Sequence, residues 1–260
     1  MGIFKRVGMY ALRIVAVVSL ASLCFYSSFE NTLQKKQYSS YTNNTISNSV
    51  PYTEFRSAKK SRNSAVRVVS MSADGAGISS MSGTYIEFFN KHYVLTVMHG
   101  LIGSCELTKI LVDDTYYDCI EYISGDTFND YMIMEVEKIR LRDPISLISN
   151  IKWATYEKKK PDVLDKIHYT GYPNTMGPFT VAGYVVGYDP PGGKNFYAFS
   201  YAWMGASGSG VFGADGKLLG YIIAIDVGST EFGVQILENV VMIGPIHEID
   251  WEPVLKNIYK

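Results

Sequence analysis

The sequence predicts an all-β fold of antiparallel barrels or sandwiches, and three observations lead to that prediction. Twenty tyrosines and 23 glycines, with β-branched residues throughout, favour strands joined by many turns. From Ala65 onward, short apolar runs alternate with turn residues, which is typical of antiparallel strands. No long amphipathic helical pattern separates these runs, so a parallel sheet with crossover helices is disfavoured.

The strand-like runs fall into two sets. The first set comprises residues 65–70, 83–90, 92–96, 108–112, 116–123 and 131–136. The second set comprises residues 166–169, 179–188, 195–201, 210–212, 217–225 and 233–236. Residues 139–165 carry two prolines and a lysine run, and we expect them to link two barrels. Residues 245–260 can form a closing helix, and the domain boundaries predicted are 64–250 for the folded unit and 251–260 for a C-terminal tail.

Composition excludes several function classes. The 260-residue chain has a net charge of −1, with 47% hydrophobic and 19% charged residues, so no bulk charge draws it to nucleic acid. The histidines and cysteines lack the spacing of metal ligands, and we expect neither a metal nor another cofactor. Cys105 and Cys119 are expected to be free thiols, because a hairpin turning at Asp113 and Asp114 would not set them opposite each other.

The N-terminal residues 1–29 resemble a signal peptide or a signal anchor. Lys5, Arg6 and Arg13 precede an uncharged apolar run at 14–29, and a basic flank before such a run is typical of both. Small residues of a cleavage site are poorly placed, which favours an uncleaved anchor with the rest of the chain on the non-cytosolic side; cleavage would make the protein secreted. Residues 30–63 are rich in Ser, Asn, Thr and Lys without an apolar period, and they predict a flexible polar linker.

The hexapeptide Gly-Ala-Ser-Gly-Ser-Gly at 205–210 is the strongest candidate for chemistry. A glycine before Ser207 lets the backbone turn so that its N–H groups point at one place, where an oxyanion can form. The glycine after Ser207 leaves room for a substrate carbonyl. A Gly/Ser cluster alone equally fits a plain turn, so the interpretation depends on finding a base and a carboxylate.

His99 is the candidate base. A nucleophilic serine needs a base to take its proton and a carboxylate to orient that base. His99 follows the apolar strand 93–98 and precedes a glycine, so its side chain can be both anchored and exposed. The other histidines fit a turn, a strand and a helix-like segment: His92, His168 and His247.

Asp130 is the candidate carboxylate. It begins the apolar strand 131–136, a setting that can desolvate the acid and hold it against an imidazole. Asp126 is the second candidate, whereas Asp113 and Asp114 fit turn positions.

The order His99, Asp130, Ser207 resembles that of the chymotrypsin-like (trypsin-fold) serine peptidases. Four segments carry the resemblance: the strand ending in histidine at 95–99, the aspartate-led strand at 130–134, the Gly-Tyr-Pro of 171–173 followed by 179–183, and the serine loop 205–212 followed by the turn at 215–220. The last two are most similar to HtrA-like and glutamyl-endopeptidase-like branches. The resemblance implies two six-stranded antiparallel β-barrels and a serine endopeptidase without a PDZ module.

The resemblance also implies a role for each matching residue. Ser207 would be the nucleophile, His99 the general base and Asp130 the orienting carboxylate, with the N–H groups of Gly205 and Ser207 forming an oxyanion hole. Zymogen-type members carry an aspartate directly before the serine, where this chain has Ala206. Activation by insertion of a new N-terminus is therefore not expected.

A substrate pocket is implied near the nucleophile. Its floor and walls are predicted from Tyr201, Ala202, Ile223, Ala224, Ile225 and Gly233. No acid lies at the floor, so a strict preference for Lys or Arg is not expected, and the aliphatic lining predicts a small or medium apolar residue before the scissile bond.

Alternative functions stay open at this point. The leading hypothesis is a membrane-tethered or secreted serine endopeptidase acting on proteins or peptides. A catalytically silent trypsin-fold binding module (a pseudoprotease) is the alternative, and an adhesive β protein with an incidental Gly/Ser loop is a third. Loss of labelling by a fluorophosphonate in a Ser207 variant separates the first from the other two.

Overall fold

The computed structural model describes residues 51–146, 161–189, 194–230 and 233–258, with backbone alone from residue 224 to residue 238. The predicted signal segment 1–29 and the predicted linker up to residue 50 lie outside the described residues. Within these ranges, no helix has the length and apolar character needed to cross a membrane.

The N-terminal barrel is built from six antiparallel strands. They are β1 (Ala65–Met71), β2 (Ile78–Phe88), β3 (Lys91–Thr96), β4 (Thr108–Val112), β5 (Thr115–Asp126) and β6 (Tyr131–Val136). Neighbours follow the order β1-β4-β5-β6-β3-β2, and the pairing of β1 with β2 closes the ring. A short seventh strand, β7 (Ile145–Ser146), adds to the edge of β2 in parallel and was not foreseen from the sequence.

The C-terminal barrel closes in the same way. Its strands are β8 (Lys166–Gly171), β9 (Phe179–Tyr188), β10 (Phe196–Phe199), β11 (Gly210–Gly213), β12 (Leu218–Thr230) and β13 (Gly233–Pro245). The closed order is β10-β13-β12-β11-β8-β9. The predicted architecture of two six-stranded antiparallel barrels is confirmed, although β13 continues nine residues beyond its predicted end at residue 236.

Side-chain alternation explains why these runs form barrels. Val66 and Val68 of β1 are fully buried, whereas Arg67 between them is only half-buried. Val185 of β9 faces inward between the exposed Tyr184 and Val186. Side chains of successive strand residues point to opposite faces, so this period of two fills one side of each sheet with apolar groups.

A disulfide joins Cys105 and Cys119, so the prediction of free thiols was wrong. The β4–β5 ladder pairs Lys109 with Asp118, and Cys105 lies beyond that ladder. A 3-10 turn at Cys105–Leu107 precedes β4 and folds the chain back, which brings the two Cα atoms to 5.3 Å. The register of the β4–β5 hairpin alone does not indicate this turn.

A helix, α1 (Tyr52–Ser64), replaces the last part of the predicted linker, so the linker boundary at residue 63 was wrong. Its buried face consists of small residues: Ser57, Ala58, Ser61 and Ser64. Serine hydroxyls bond across the interface to the C-terminal barrel, from Ser57 to the Gly213 carbonyl (2.7 Å) and from Ser61 to Thr170 (2.9 Å). Because this helix is buried on a face of hydrogen-bonded serines, its sequence lacks the helical spacing of apolar residues that would have predicted it.

The described part of the predicted C-terminal tail, residues 251–258, packs against the N-terminal barrel. A second helix, α2 (Glu252–Asn257), follows the buried Trp251. Val254 is fully buried, and the Asn257 amide donates a 2.6 Å hydrogen bond to Glu135 of β6. The folded unit therefore begins before Ala65 and continues past residue 250.

Candidate active site

His99 and Asp130 form a hydrogen-bonded pair at the end of the N-terminal barrel. His99 follows β3 and Asp130 directly precedes β6, and these strands are neighbours, so their ends meet. Asp130 Oδ2 lies 2.5 Å from His99 Nδ1. Among the described residues, no group bonds to Nε2 of His99, and the side chain is 51% exposed.

The second carboxylate oxygen of Asp130 holds the chain around His99. Oδ1 accepts the backbone N–H of His99 (2.8 Å) and of Met98 (3.1 Å). Asp130 itself has a φ of 53°, a left-handed conformation that non-glycine residues adopt at some cost. The carbonyl of the preceding Asn129 accepts a 2.5 Å hydrogen bond from the hydroxyl of Tyr221, which lies in β12 of the other barrel.

The pair changes the basicity of the imidazole. The hydrogen bond to Asp130 raises the pKa of His99 above its ordinary value of 6.5, against the opposing effect of burial. The second candidate, Asp126, does not contact His99; its Oδ1 accepts the N–H groups of Phe128 and Asn129, which is the role of a turn residue.

The Ser207 loop depends on two glycines in a left-handed conformation. Gly205 has a φ of 92° and Gly208 a φ of 88°. A Cβ at Gly205 would come to 2.7 Å from the Tyr172 carbonyl oxygen, and a Cβ at Gly208 to 2.6 Å from Thr96 Oγ1. Both positions therefore need glycine for conformation and for space.

Three successive carbonyl groups in this loop each accept a hydrogen bond. The Met204 carbonyl accepts the N–H of Asn174 (2.7 Å). The Gly205 carbonyl accepts the hydroxyl of Ser82 (2.6 Å). The Ala206 carbonyl accepts the hydroxyl of Ser209 (2.6 Å), which gives this buried second serine a structural role.

These bonds determine where the loop N–H groups point. In a planar trans peptide the C=O and N–H groups point in opposite directions. Fixing the Met204 and Ala206 carbonyls therefore directs the N–H groups of Gly205 and Ser207 to the other side of the loop. Neither of these two N–H groups has a hydrogen-bond acceptor among the residues that the structure describes.

Ser207 lies in a loop that contacts the strands leading to His99. The Ser207 carbonyl accepts the N–H of Ser82 in β2 (2.9 Å), and Gly208 packs against Thr96, the last residue of β3. No hydrogen bond joins the Ser207 hydroxyl to His99 in the described part of the chain. The structure thus pairs His99 with Asp130 and brings the Ser207 loop against the strand that leads to His99, without closing the final contact.

The predicted pocket residues are placed only in part. Tyr201 follows β10 with 48% of its surface exposed, and its carbonyl accepts the hydroxyl of Tyr169, while Ala202 is buried. Ile223 in β12 is partly buried and packs on the core. Ala224 and Ile225 lie in β12 and Gly233 begins β13, but their side chains are outside the description, so their role in a pocket stays a prediction.

A cavity of about 650 Å³ lies away from these residues. It is lined by α1, by the segment 143–146 and by Asp215 and Gly216, and none of the predicted site residues borders it. In the ranges described, no group of three or more His, Cys, Asp or Glu side chains is arranged to hold a metal ion.

Three residues around the site were not singled out from the sequence: Ser82, Asn174 and Tyr221. Tyr172 belongs to the Gly-Tyr-Pro motif, but its contact with Ser82 was not foreseen. Ser82 carries no distinguishing signal in the sequence, because β2 also contains Ser79, Ser80 and Thr84. The others act through a backbone N–H or through a tyrosine hydroxyl that reaches the other barrel, and residue type alone does not indicate such contacts.

Comparison with known proteins supports the fold. No protein-family model matches the chain, and no curated protein matches it in sequence. Solved structures do match, among them the active form of the Rv3671c protease from M. tuberculosis, with a TM-score of 0.56 and 15% identity over 75% of this chain and 81% of that one. Its inactive form matches with a TM-score of 0.53 and 15% identity over 75% and 89% of the two chains.

A serine endoprotease from Yersinia pestis gives a similar result. Its TM-score is 0.56 at 17% identity, and the match covers 75% of this chain and 63% of that one. At these identities the likeness defines the fold. The chain has the chymotrypsin-like two-barrel fold that these proteases share.

Proposed function

We propose that this protein is a serine endopeptidase with Ser207 as nucleophile, His99 as general base and Asp130 as orienting carboxylate. One observation carries the proposal: the 2.5 Å contact between Asp130 Oδ2 and His99 Nδ1, which leaves Nε2 without a partner in the described residues. A base held through one ring nitrogen with the other available is what activation of a serine requires. The solved neighbours are proteases by description, which agrees with this function.

The proposed reaction follows from these positions. Ser207 Oγ attacks the scissile carbonyl carbon and gives its proton to His99 Nε2. The imidazolium, stabilised by Asp130, then donates that proton to the leaving amine, and an acyl-enzyme remains on Ser207. A water molecule, deprotonated by His99, hydrolyses the ester and restores the free serine.

The N–H groups of Gly205 and Ser207 are proposed to bind the oxyanion of each tetrahedral intermediate. Their lack of acceptors in the described residues supports this role, since a donor kept free for the transition state needs no rearrangement when charge develops. In the described residues, the Ser207 hydroxyl makes no hydrogen bond to His99. Catalytic hydrogen bonds are often long before substrate binds, so this contact is expected to tighten in the complex.

We place the chain near the HtrA-like and glutamyl-endopeptidase-like branches. Ala206 stands where zymogen-type members carry aspartate, and the loop carbonyls are already held by Ser82, Asn174 and Ser209. These contacts support a loop that is preformed without insertion of a new N-terminus.

Fluorophosphonate labelling tests the proposal. The full-length protein is expected to be labelled covalently, and Ser207→Ala is expected to abolish labelling and to lower peptide turnover by about six orders of magnitude. Ser209→Ala is the matched control in the same loop, and it should keep a labelled serine. Absence of labelling in the unmodified protein would favour the alternative of a non-catalytic binding module.

The substrate is proposed to be a protein or peptide with a small or medium apolar residue before the scissile bond. The aliphatic residues predicted for the pocket walls support this preference. Cleavage-site profiling on a peptide library tests it, using a protein that retains α1, since that helix packs on the C-terminal barrel. A preference for Lys or Arg would contradict the proposed pocket.

The catalytic unit is proposed to act on the non-cytosolic side of a membrane, or as a secreted protein. The disulfide between Cys105 and Cys119 supports an oxidising compartment, and the basic and apolar N-terminal residues support export. Membrane fractionation under alkaline wash, together with thiol alkylation before and after reduction, tests both parts. Recovery with the soluble cytosolic fraction and free thiols would contradict this location.

A further inference from the structure

We propose that Ser82 is a positioning residue that holds, from the opposite barrel, the peptide between the two oxyanion-binding N–H groups; this rests on the proposed peptidase function. Ser82 lies in β2 of the N-terminal barrel and is fully buried. Its side chain and backbone make four hydrogen bonds, and two of these reach the Ser207 loop.

The side chain bridges two segments of the C-terminal barrel. Ser82 Oγ donates to the Gly205 carbonyl (2.6 Å) and accepts the N–H of Tyr172 (2.9 Å). A hydroxyl has a single proton, and the Tyr172 N–H can only donate, so the Ser82 proton is committed to Gly205. With no exposed surface on Ser82, water does not compete for either bond.

The backbone of Ser82 holds the same loop one peptide further on. Its N–H donates to the Ser207 carbonyl (2.9 Å), and its own carbonyl accepts the hydroxyl of Thr96 (2.7 Å). These backbone bonds do not depend on the side chain. A substitution at Ser82 therefore removes the contact to Gly205 while leaving the contact to Ser207.

The contact to Gly205 matters because of where that carbonyl lies. The peptide joining Gly205 to Ala206 is situated between the two peptides whose N–H groups are free. The N–H of this peptide donates to the Trp203 carbonyl (2.9 Å), so the peptide is held on both sides. Without the Ser82 donor only that one bond remains, and glycine at position 205 leaves the backbone free to shift. A shift of the Gly205–Ala206 peptide changes the direction of the Gly205 N–H relative to the Ser207 N–H. The two groups can then no longer both donate to one oxyanion.

The experiment compares the rate of fluorophosphonate labelling and peptide turnover in the full-length protein with those of Ser82→Ala. We expect the labelling rate and kcat to fall by about 10- to 100-fold, the range between a weakened and a lost oxyanion donor, with KM nearly unchanged. A loss in kcat at constant KM separates a positioning role from a general loss of folded protein.

Ser57→Ala is the matched control. Ser57 is also fully buried, and its hydroxyl donates to a glycine carbonyl at 2.7 Å, but on β11 beyond the Ser207 loop. It should lower the melting temperature and leave labelling and kcat at the level of the unmodified protein. Ser82→Cys, which keeps the size and a weak donor, should fall between the unmodified protein and Ser82→Ala, and it serves if the alanine variant does not fold.

The outcomes separate the two proposals. Wild-type labelling rates in folded Ser82→Ala or Ser82→Cys would overturn the role of Ser82 and leave the peptidase function intact. An unlabelled wild-type protein would overturn the peptidase function and with it the role of Ser82.

Discussion

The two barrels hold their parts of the candidate site by different means. In the N-terminal barrel, His99 and Asp130 lie at the ends of neighbouring strands, and one carboxylate makes every bond that joins them. In the C-terminal barrel, the Ser207 loop contains no such pair. Its backbone is held by donors from within the loop and from residues distant in sequence, Asn174 and Ser82.

Each part is nevertheless fixed by a side chain from the other barrel. Ser82 of the N-terminal barrel reaches the Gly205 carbonyl, and Tyr221 of the C-terminal barrel reaches the Asn129 carbonyl beside Asp130. Burial raises the pKa of Tyr221, so its hydroxyl keeps the proton that it donates. Docking of the barrels therefore contributes one hydrogen bond to each half of the candidate site.

Asp130→Asn tests the N-terminal half and has the largest expected effect of the substitutions outside the Ser207 loop. The asparagine oxygen can still accept the Met98 and His99 N–H groups, but its amide donates to Nδ1 and forces the proton onto Nε2. The base is then in the wrong tautomer, and kcat should fall by about four orders of magnitude. Steady-state kinetics measure this.

Asp126→Asn is the matched control for Asp130→Asn, because Asp126 caps its own turn. It should retain nearly full activity. Equal losses in both variants would contradict the specific role of Asp130.

The pH profile of kcat/KM tests the effect of Asp130 on the pKa of His99. His99 must be neutral to act as a base, and its raised pKa keeps it protonated to a higher pH than an ordinary histidine. Activity should therefore fall about tenfold per pH unit below an apparent pKa that lies above 6.5. In Asp130→Asn the residual activity should show this acid limb at lower pH, because the bond that raises the pKa is gone.

Tyr221→Phe tests the hydrogen bond by which the C-terminal barrel holds the Asn129 carbonyl beside Asp130, and it has the smallest expected effect. Loss of the hydroxyl leaves the Asn129 carbonyl without its donor, which should lower stability by about 1 kcal/mol and kcat/KM by a few-fold. Tyr85→Phe is the control, since that buried hydroxyl accepts the N–H of Ile139 far from the Ser207 loop. A loss of stability alone in both variants would refute a positioning role for Tyr221.

The sequence predicted those features that depend on local pattern. Alternating apolar and polar residues indicate strands. His99 and Asp130 were identifiable because His99 follows an apolar strand and Asp130 precedes one. The predictions failed where contacts are made by small polar residues or through turns. Helix α1 buries serines in place of aliphatic side chains, and Cys105 reaches Cys119 by a 3-10 turn that the hairpin register does not reveal.

By itself, the sequence determined the all-β class, the two sets of barrel strands and the candidate residues His99, Asp130 and Ser207, because strand period and glycine content are local properties. The tertiary structure was needed to show that Asp130 and not Asp126 contacts the imidazole, and that Asn174 and Ser209 hold the carbonyls of the two peptides that carry the Gly205 and Ser207 N–H groups. Asp130 meets His99, and Asn174 meets Met204, only when each barrel closes, whereas the contacts of Ser82 and Tyr221 form only when the two barrels dock.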